Sequence, residues 1–404
     1  MADKAAENAN EAFQTAKLTS YWLELAGLPE ALEYADLIHL NQELDPAIIP
    51  HTEDMCFLNP IIHEIRYGSI NEFIEHSGCR GILDIACGYS PRGLLFAEKG
   101  YHYVGADLPV VAEQLNQVVS ELGLAGLDYV GADATNYASL RKAADLLEGP
   151  ICIVVEGLGM YLNAAEAEML RLNIARLLSE RPGSSFVTTD PGNGYLFHAV
   201  ITSVYPPQRT MMTFGELFEM YNWASDGGIT YETAKRPLEE DLKLFREAGM
   251  DVTAVPLLPE GHELRCFQAL PEEAVASLKK AIGQRLLFTA TAFQKDNAES
   301  AGTEAEPCFS LSADVADGVL HAGIRGRLDS LTAPSLLRCF EEHRSEISAV
   351  EIDLSETRFV SSAGNRSFYL IRKELGSEES LTLSGANETV AKLIADDGII
   401  SHLQ

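Results

Sequence analysis

The stretch "GILDIACGYSPRGLLFAEKGYHYVGADLP", residues 81–109, limits what this chain can fold into more than any other. An apolar run of strand length opens it, a turn of small residues follows, then a helical segment, then a second strand ending on an acid. Two strands joined through a helix lie parallel in one sheet with a right-handed crossover. The alternation continues with helix "PVVAEQLNQVVSELG", strand "LDYVGADA", strand "ICIVVEGL", helix "AAEAEMLRLNIARLLSE" and strand "SSFVTTDP". Continuously apolar strands between helices belong to a parallel sheet covered on both faces. The fold class is therefore α/β, a doubly wound domain.

At 404 residues the chain is too long for one ordinary core. The polar stretch "QKDNAESAGTEAEP" has no apolar period and reads as a linker over residues 294–306. It separates a domain at 1–293 from a smaller one at 307–404. The first domain opens with a helical part, about residues 1–65, and carries a helical insertion at about 195–250. Strands "MDVTAVPLL" and "ELRCFQAL" are predicted to close its sheet, the second antiparallel. The smaller domain reads as strands "CFSLSAD" and "VLHAGIRGRLD", helix "APSLLRCFEEHRSE", strand "AVEIDLS", helix "AGNRSFYLIRKEL", strand "ESLTLSGA" and helix "NETVAKLIADDGIISHL". That is a small α/β layer with a mostly parallel sheet.

A formal net charge of -30 argues against nucleic acid or an anionic membrane as the main partner. No apolar run approaches the ~20 residues of a membrane-spanning helix. The polar start "MADKAAENANEAFQTAK" lacks a signal-peptide core. Seven scattered cysteines without a C-x-x-C pair fit reduced thiols in a cytoplasm, with no metal site expected.

In an open α/β sheet the ligand lies beyond the carboxyl ends of the strands. The first turn, Asp84-Ile85-Ala86-Cys87-Gly88-Tyr89, has small residues that let a ligand approach the backbone. Asp107 ends the second strand, where a carboxylate suits a ribose diol. Asp133, in "GADAT", ends the third and can accept from an adenine amine. A dinucleotide site would need G-x-G-x-x-G, but positions 86, 88 and 91 are Ala, Gly and Pro. A proline without N–H and an acid at 84 both disfavour a pyrophosphate. A phosphate-free adenosine ligand fits better, and S-adenosylmethionine is the obvious one. NAD is disfavoured.

The motifs "LDIACGYSPRG", "GADLP", "GADAT" and "VVEGLGMYL" resemble the leucine carboxyl methyltransferase family of class I methyltransferases over roughly residues 30–270. The resemblance implies a Rossmann-like domain binding S-adenosylmethionine as methyl donor. It implies donor contacts at Arg66, Asp84, Ala86, Gly88, Asp107, Leu108, Asp133, Ala134, Glu156 and Gly157. Arg66, in "RYGSIN", is the candidate clamp for the methionine carboxylate, with Asn71 where the family has Asp. Ala86 stands where the family has Gly. Arg92 reads equally as a structural ion-pair partner or a ligand contact, and Glu156 as a donor contact or a helix cap. Cys87 reads as a small packed side chain. Methyl transfer to a carboxylate needs no base, whereas a hydroxyl does. Tyr161, Asp190, Tyr195 and His198 follow the fourth and fifth strands, and Tyr161 and His198 are the catalytic candidates. The acceptor stays open.

In the second domain, "GRLDSLTAPSLLRCF" and "VEIDLSETRFVSSAGNRSF" resemble the STAS fold of anti-sigma factor antagonists. Ser362 matches the family's phosphorylatable serine, and Asn365 replaces the usual Leu. Ser361 or Ser362 can instead simply cap the helix. The resemblance implies a protein partner, a kinase or an anti-sigma-type protein. Two functions follow: an O-methyltransferase regulated or localised by a STAS domain, or a noncatalytic S-adenosylmethionine sensor of the partner-switch type.

Overall fold

In the computed structural model, residues 16–40, 44, 53–123, 125–205, 237–292, 309–377 and 380–396 are described. The chain divides into two compact units, Met1–Tyr161 with Glu168–Gln294, and Leu162–Ala167 with Lys295–Gln404. The expected linker, and the stretch 206–236 within the expected insertion, lie outside the described residues.

The first unit is built on β1 (Gly81–Ile85), β2 (His102–Asp107), β3 (Leu127–Gly131), β4 (Ile151–Val155), β5 (Ser185–Thr188), β6 (Met250–Pro256) and β7 (Arg285–Ala292). They form a seven-stranded sheet in the order β3-β2-β1-β4-β5-β7-β6. The first five strands are parallel, and β7 runs antiparallel to both β5 and β6. Every residue of β1 and β4 is buried, as continuously apolar central strands must be. Gly93 lets the helix Arg92–Glu98 lie close on the sheet. A Cβ there would meet the Tyr129 hydroxyl at 2.6 Å and Leu127 Cδ1 at 2.9 Å.

One strand expectation is corrected. "ELRCFQAL" is not a strand: residues Arg265–Ala269 form a 3-10 turn. The backbone N–H groups of Arg265 and Cys266 donate to the buried Glu64 carboxylate at 2.6 and 2.9 Å. The closing strand is "RLLFTATA", β7, which follows the unforeseen helix Glu272–Ile282.

The second unit contains β8 (Ser310–Ala316), β9 (Val319–Leu328), β10 (Ala349–Asp353), β11 (Thr357–Val360) and β12 (Leu381–Ser384). β9 pairs in parallel with β10 and β11 and antiparallel with β8, and β12 extends the sheet beyond β10. Buried and exposed residues alternate along β10, so this strand has one face on the core. Leu320, Leu336, Ile352, Phe368 and Ile394 are in that core.

Candidate active site

The strand order reverses between β1 and β4, and in open α/β sheets the crevice beyond the carboxyl ends at such a point is the usual ligand position. Arg92 is the first residue of its helix, with a side chain 1% exposed. Its Nη1 donates to Asp84 Oδ2 at 2.9 Å, its Nη2 to Glu156 Oε2 at 2.6 Å and its Nε to Asn71 Oδ1 at 2.8 Å. Tyr103 donates its hydroxyl to the same Asp84 oxygen at 2.9 Å. Arg92 therefore ties β1, β4 and the helix Glu53–His76 together, and Asn71 serves Arg92 rather than Arg66. Burial pushes the Asp84 carboxyl up, opposed by Arg92, whereas Arg92 and Arg66 together hold Glu156 down despite burial.

Arg66, on the helix Glu53–His76, is 5% exposed. Its Nε lies 3.4 Å from Glu156 Oε1 and makes no hydrogen bond among the described residues. Gly157 gives the fork room, because a Cβ there would lie 3.0 Å from Arg66 Nη2. Gly157 also takes φ 76°, a conformation that suits glycine. Its N–H and that of Gly159 donate to Asp190 Oδ1 and Oδ2, at 2.6 and 2.7 Å. The loop after β4 is thereby moored to the end of β5.

Asp107 clamps the first turn to β2. Gly88 N–H donates to Oδ2 and Leu108 N–H to Oδ1, both at 2.7 Å. A carboxylate has about four acceptor directions, so each oxygen retains capacity for a further donor. Burial pushes the Asp107 carboxyl up to about 6 against those two N–H groups. Gly88 takes φ 52° and Ala86 takes φ 55°. Asp133 Oδ1 accepts from Thr135 N–H at 2.7 Å and from its hydroxyl at 2.5 Å, while Ala134 O accepts from Asn173 at 3.0 Å. Cys87 is buried, and burial pushes its thiol well above the ordinary range, in keeping with a packed side chain.

Tyr161 ends the short turn Gly159–Tyr161 and is exposed, as are Tyr195 and His198 on the helix Asn193–Val204. The sequence reading missed Tyr103 and His63. His63 stands one helical turn before Arg66, buried, and donates Nδ1–H to Asn59 O at 2.8 Å. The i, i+3 spacing of "HEIR" on a helix was the signal available. In the second unit, Ser361 caps the helix Ser362–Leu375 by accepting Gly364 N–H at 3.2 Å, and Ser362 is the first helical residue. Asn365 is buried and donates to Leu393 O at 3.0 Å.

Residues 310–401 match the family model of the STAS domain. No match to the chain is found among curated proteins. Among solved structures it is similar to an O-methyltransferase family protein from Burkholderia thailandensis, at 12% identity and a TM-score of 0.36, over 60% of each chain. It is similar to geranyl diphosphate C-methyltransferase from Streptomyces coelicolor A3(2), at 13% identity and a TM-score of 0.33, over 62% of this chain and 86% of that one. A third is the plantazolicin methyltransferase BamL, at 12% identity and a TM-score of 0.31, over 71% of this chain and 99% of that one. This chain thus spans 60% of the length of the Burkholderia protein. No helix among the described residues is long and apolar enough to cross a membrane.

Proposed function

We propose that the first unit is an S-adenosylmethionine-dependent methyltransferase and that the STAS domain docks a protein partner that regulates or localises it. Arg66 carries the reading. A buried guanidinium with Nε unbonded among the described residues is costly, and its fork geometry matches a carboxylate. The methionine carboxylate supplies that anion. Glu156, beside the fork, offers an oxygen to the adjoining ammonium. Gly88 is packed against Ala16, which a Cβ there would meet at 3.3 Å, while Asp107 has the acceptor capacity a ribose diol requires. Asp133 and Ala134 close the adenine side, and Leu108 the ribose side.

When bound, the donor supplies a methyl group on a sulfonium that carries its own leaving group. The protein's work is then alignment and exclusion of water. Arg66 and Glu156 fix the amino-acid end of the donor, and Asp107 fixes the sugar. Transfer is to oxygen, of a hydroxyl or a carboxylate, with Tyr161 and His198 as candidates on the acceptor side. Ser362 is the candidate phosphorylation site of the STAS domain, by a kinase supplied in trans. The Ser362 N–H and hydroxyl donate to the Glu166 carboxylate at 2.6 and 2.9 Å, so phosphate on this first helical residue would expel that carboxylate and add charge at the helix start.

Calorimetric titration with S-adenosylhomocysteine, with NAD as control, tests the donor site. Binding is expected for the first only, and Arg66→Gln is expected to weaken it about 10- to 100-fold, the cost of one or two charged hydrogen bonds. Equal binding by the variant would remove the observation on which this reading stands.

A further inference from the structure

We propose that His63 positions the methyl acceptor through Nε2 and thereby selects a hydroxyl over a carboxylate. The inference rests on the methyltransferase reading above and names the acceptor class that it left open. Three observations about one side chain carry it.

The first is place. The helix Glu53–His76 ends just before β1 begins, so it runs opposite to the parallel strands. Arg66 is ten residues back along it, about 15 Å at 1.5 Å per residue, which brings it level with Glu156 beyond β4. His63 lies on the same face, about 4.5 Å farther out. It therefore stands beyond the strand ends, one turn past the pair read above as holding the donor.

The second is tautomer. The Asn59 carbonyl can only accept, so Nδ1 carries the hydrogen and Nε2 is left as a lone pair. Nε2 makes no hydrogen bond among the described residues, and the residue is 7% exposed. The third is charge state. The charged groups that bear on the ring are Arg66 and Glu156; burial and Arg66 lower its pKa to about 4, opposed by the Asn59 bond and Glu156. The imidazole stays neutral at physiological pH.

A fixed lone pair recognises a hydrogen-bond donor. A hydroxyl satisfies it, whereas a carboxylate sets lone pair against lone pair and leaves both unpaired. The acceptor oxygen forms a bond to the methyl carbon while the carbon–sulfur bond breaks, its electron pair going to sulfur. The hydroxyl proton passes to Nε2 and from there to water. A weakly basic imidazole suffices, because an alkylated hydroxyl is a far stronger acid than an imidazolium.

The test uses the full chain, labelled with 15N-histidine and saturated with S-adenosylhomocysteine, with phenol and benzoate as probes. Phenol should move the Nε2 resonance of His63, and benzoate should not. His63→Asn keeps a donor for the Asn59 carbonyl and takes the acceptor away from the position of Nε2. It should bind S-adenosylhomocysteine as the parent does, lose about tenfold in phenol affinity, and His63→Gln should recover part of that loss. If S-adenosylhomocysteine binds but Nε2 ignores phenol, or answers benzoate equally, or if His63→Asn holds phenol undiminished, the role of His63 is overturned and the donor site stands. If S-adenosylhomocysteine does not bind the parent chain, both fall together.

Discussion

At Ala86 the backbone takes φ 55°, in the left-handed region where a Cβ is strained, and Ala86 N–H is tied to Ala106 O at 2.7 Å. Ala86→Gly relieves that strain but frees the unfolded chain. The net gain is expected at about 0.5–1 kcal/mol, read as a higher midpoint in urea unfolding. Asp107 gives a pH prediction. Its carboxyl ionises near 6 in the fold and near 3.9 in an unfolded chain, so the fold disfavours the charged form, and this cost is relieved as pH falls through 6. Donor binding has the opposite sign, since a ribose diol needs the ionised acceptor. Affinity for S-adenosylhomocysteine should be flat above pH 7 and fall below about 6, approaching tenfold per pH unit. A flat profile down to pH 5 would take Asp107 out of the ribose site. At this scale the sequence placed the acids at the strand ends, because each ends a recognisable apolar run. It left Arg92 ambiguous, because Asp84, Asn71 and Glu156 come together only through the tertiary fold.

Among the elements, the strands legible in advance were those whose burial is written in their own residues, such as "GILDI" and "ICIVV". "ELRCFQAL" misled because apolar and polar residues alternate in it as in a half-buried strand. What sets its conformation is Glu64, some two hundred residues upstream, which takes the two N–H groups that a strand would have offered a neighbour. β3 is at an edge of the sheet and shows how such an edge is closed. Asn116, on the neighbouring helix Pro109–Leu122, donates to Tyr129 O at 2.8 Å and accepts Tyr129 N–H at 3.2 Å, standing in for one residue of a missing strand. Asn116→Ala should cost about 1–3 kcal/mol and increase self-association, measurable by light scattering on partial heating. A variant as stable and monodisperse as the parent would deny Asn116 that part.

Among the described residues, a core around Ile82, Phe96 and Val154 lies in the first unit and another around Leu336, Ile352 and Phe368 in the second. Calorimetric heating should therefore resolve two transitions, and S-adenosylhomocysteine at a hundred times its Kd should raise only the one belonging to the first unit, by about 2.7 kcal/mol. A single transition would show that the two unfold as one. Arg66 has a consequence at this level too. Arg66 is a desolvated cation whose Nε makes no hydrogen bond among the described residues, so the donor site is held at a cost to the fold. Because Glu156 keeps Arg92 as its partner, replacement of Arg66 by a well-packed apolar residue should make the unliganded chain harder to melt while abolishing its use for donor. Directed evolution for heat resistance alone would thus tend to erase this arginine, and a library kept on ligand would tend to preserve it.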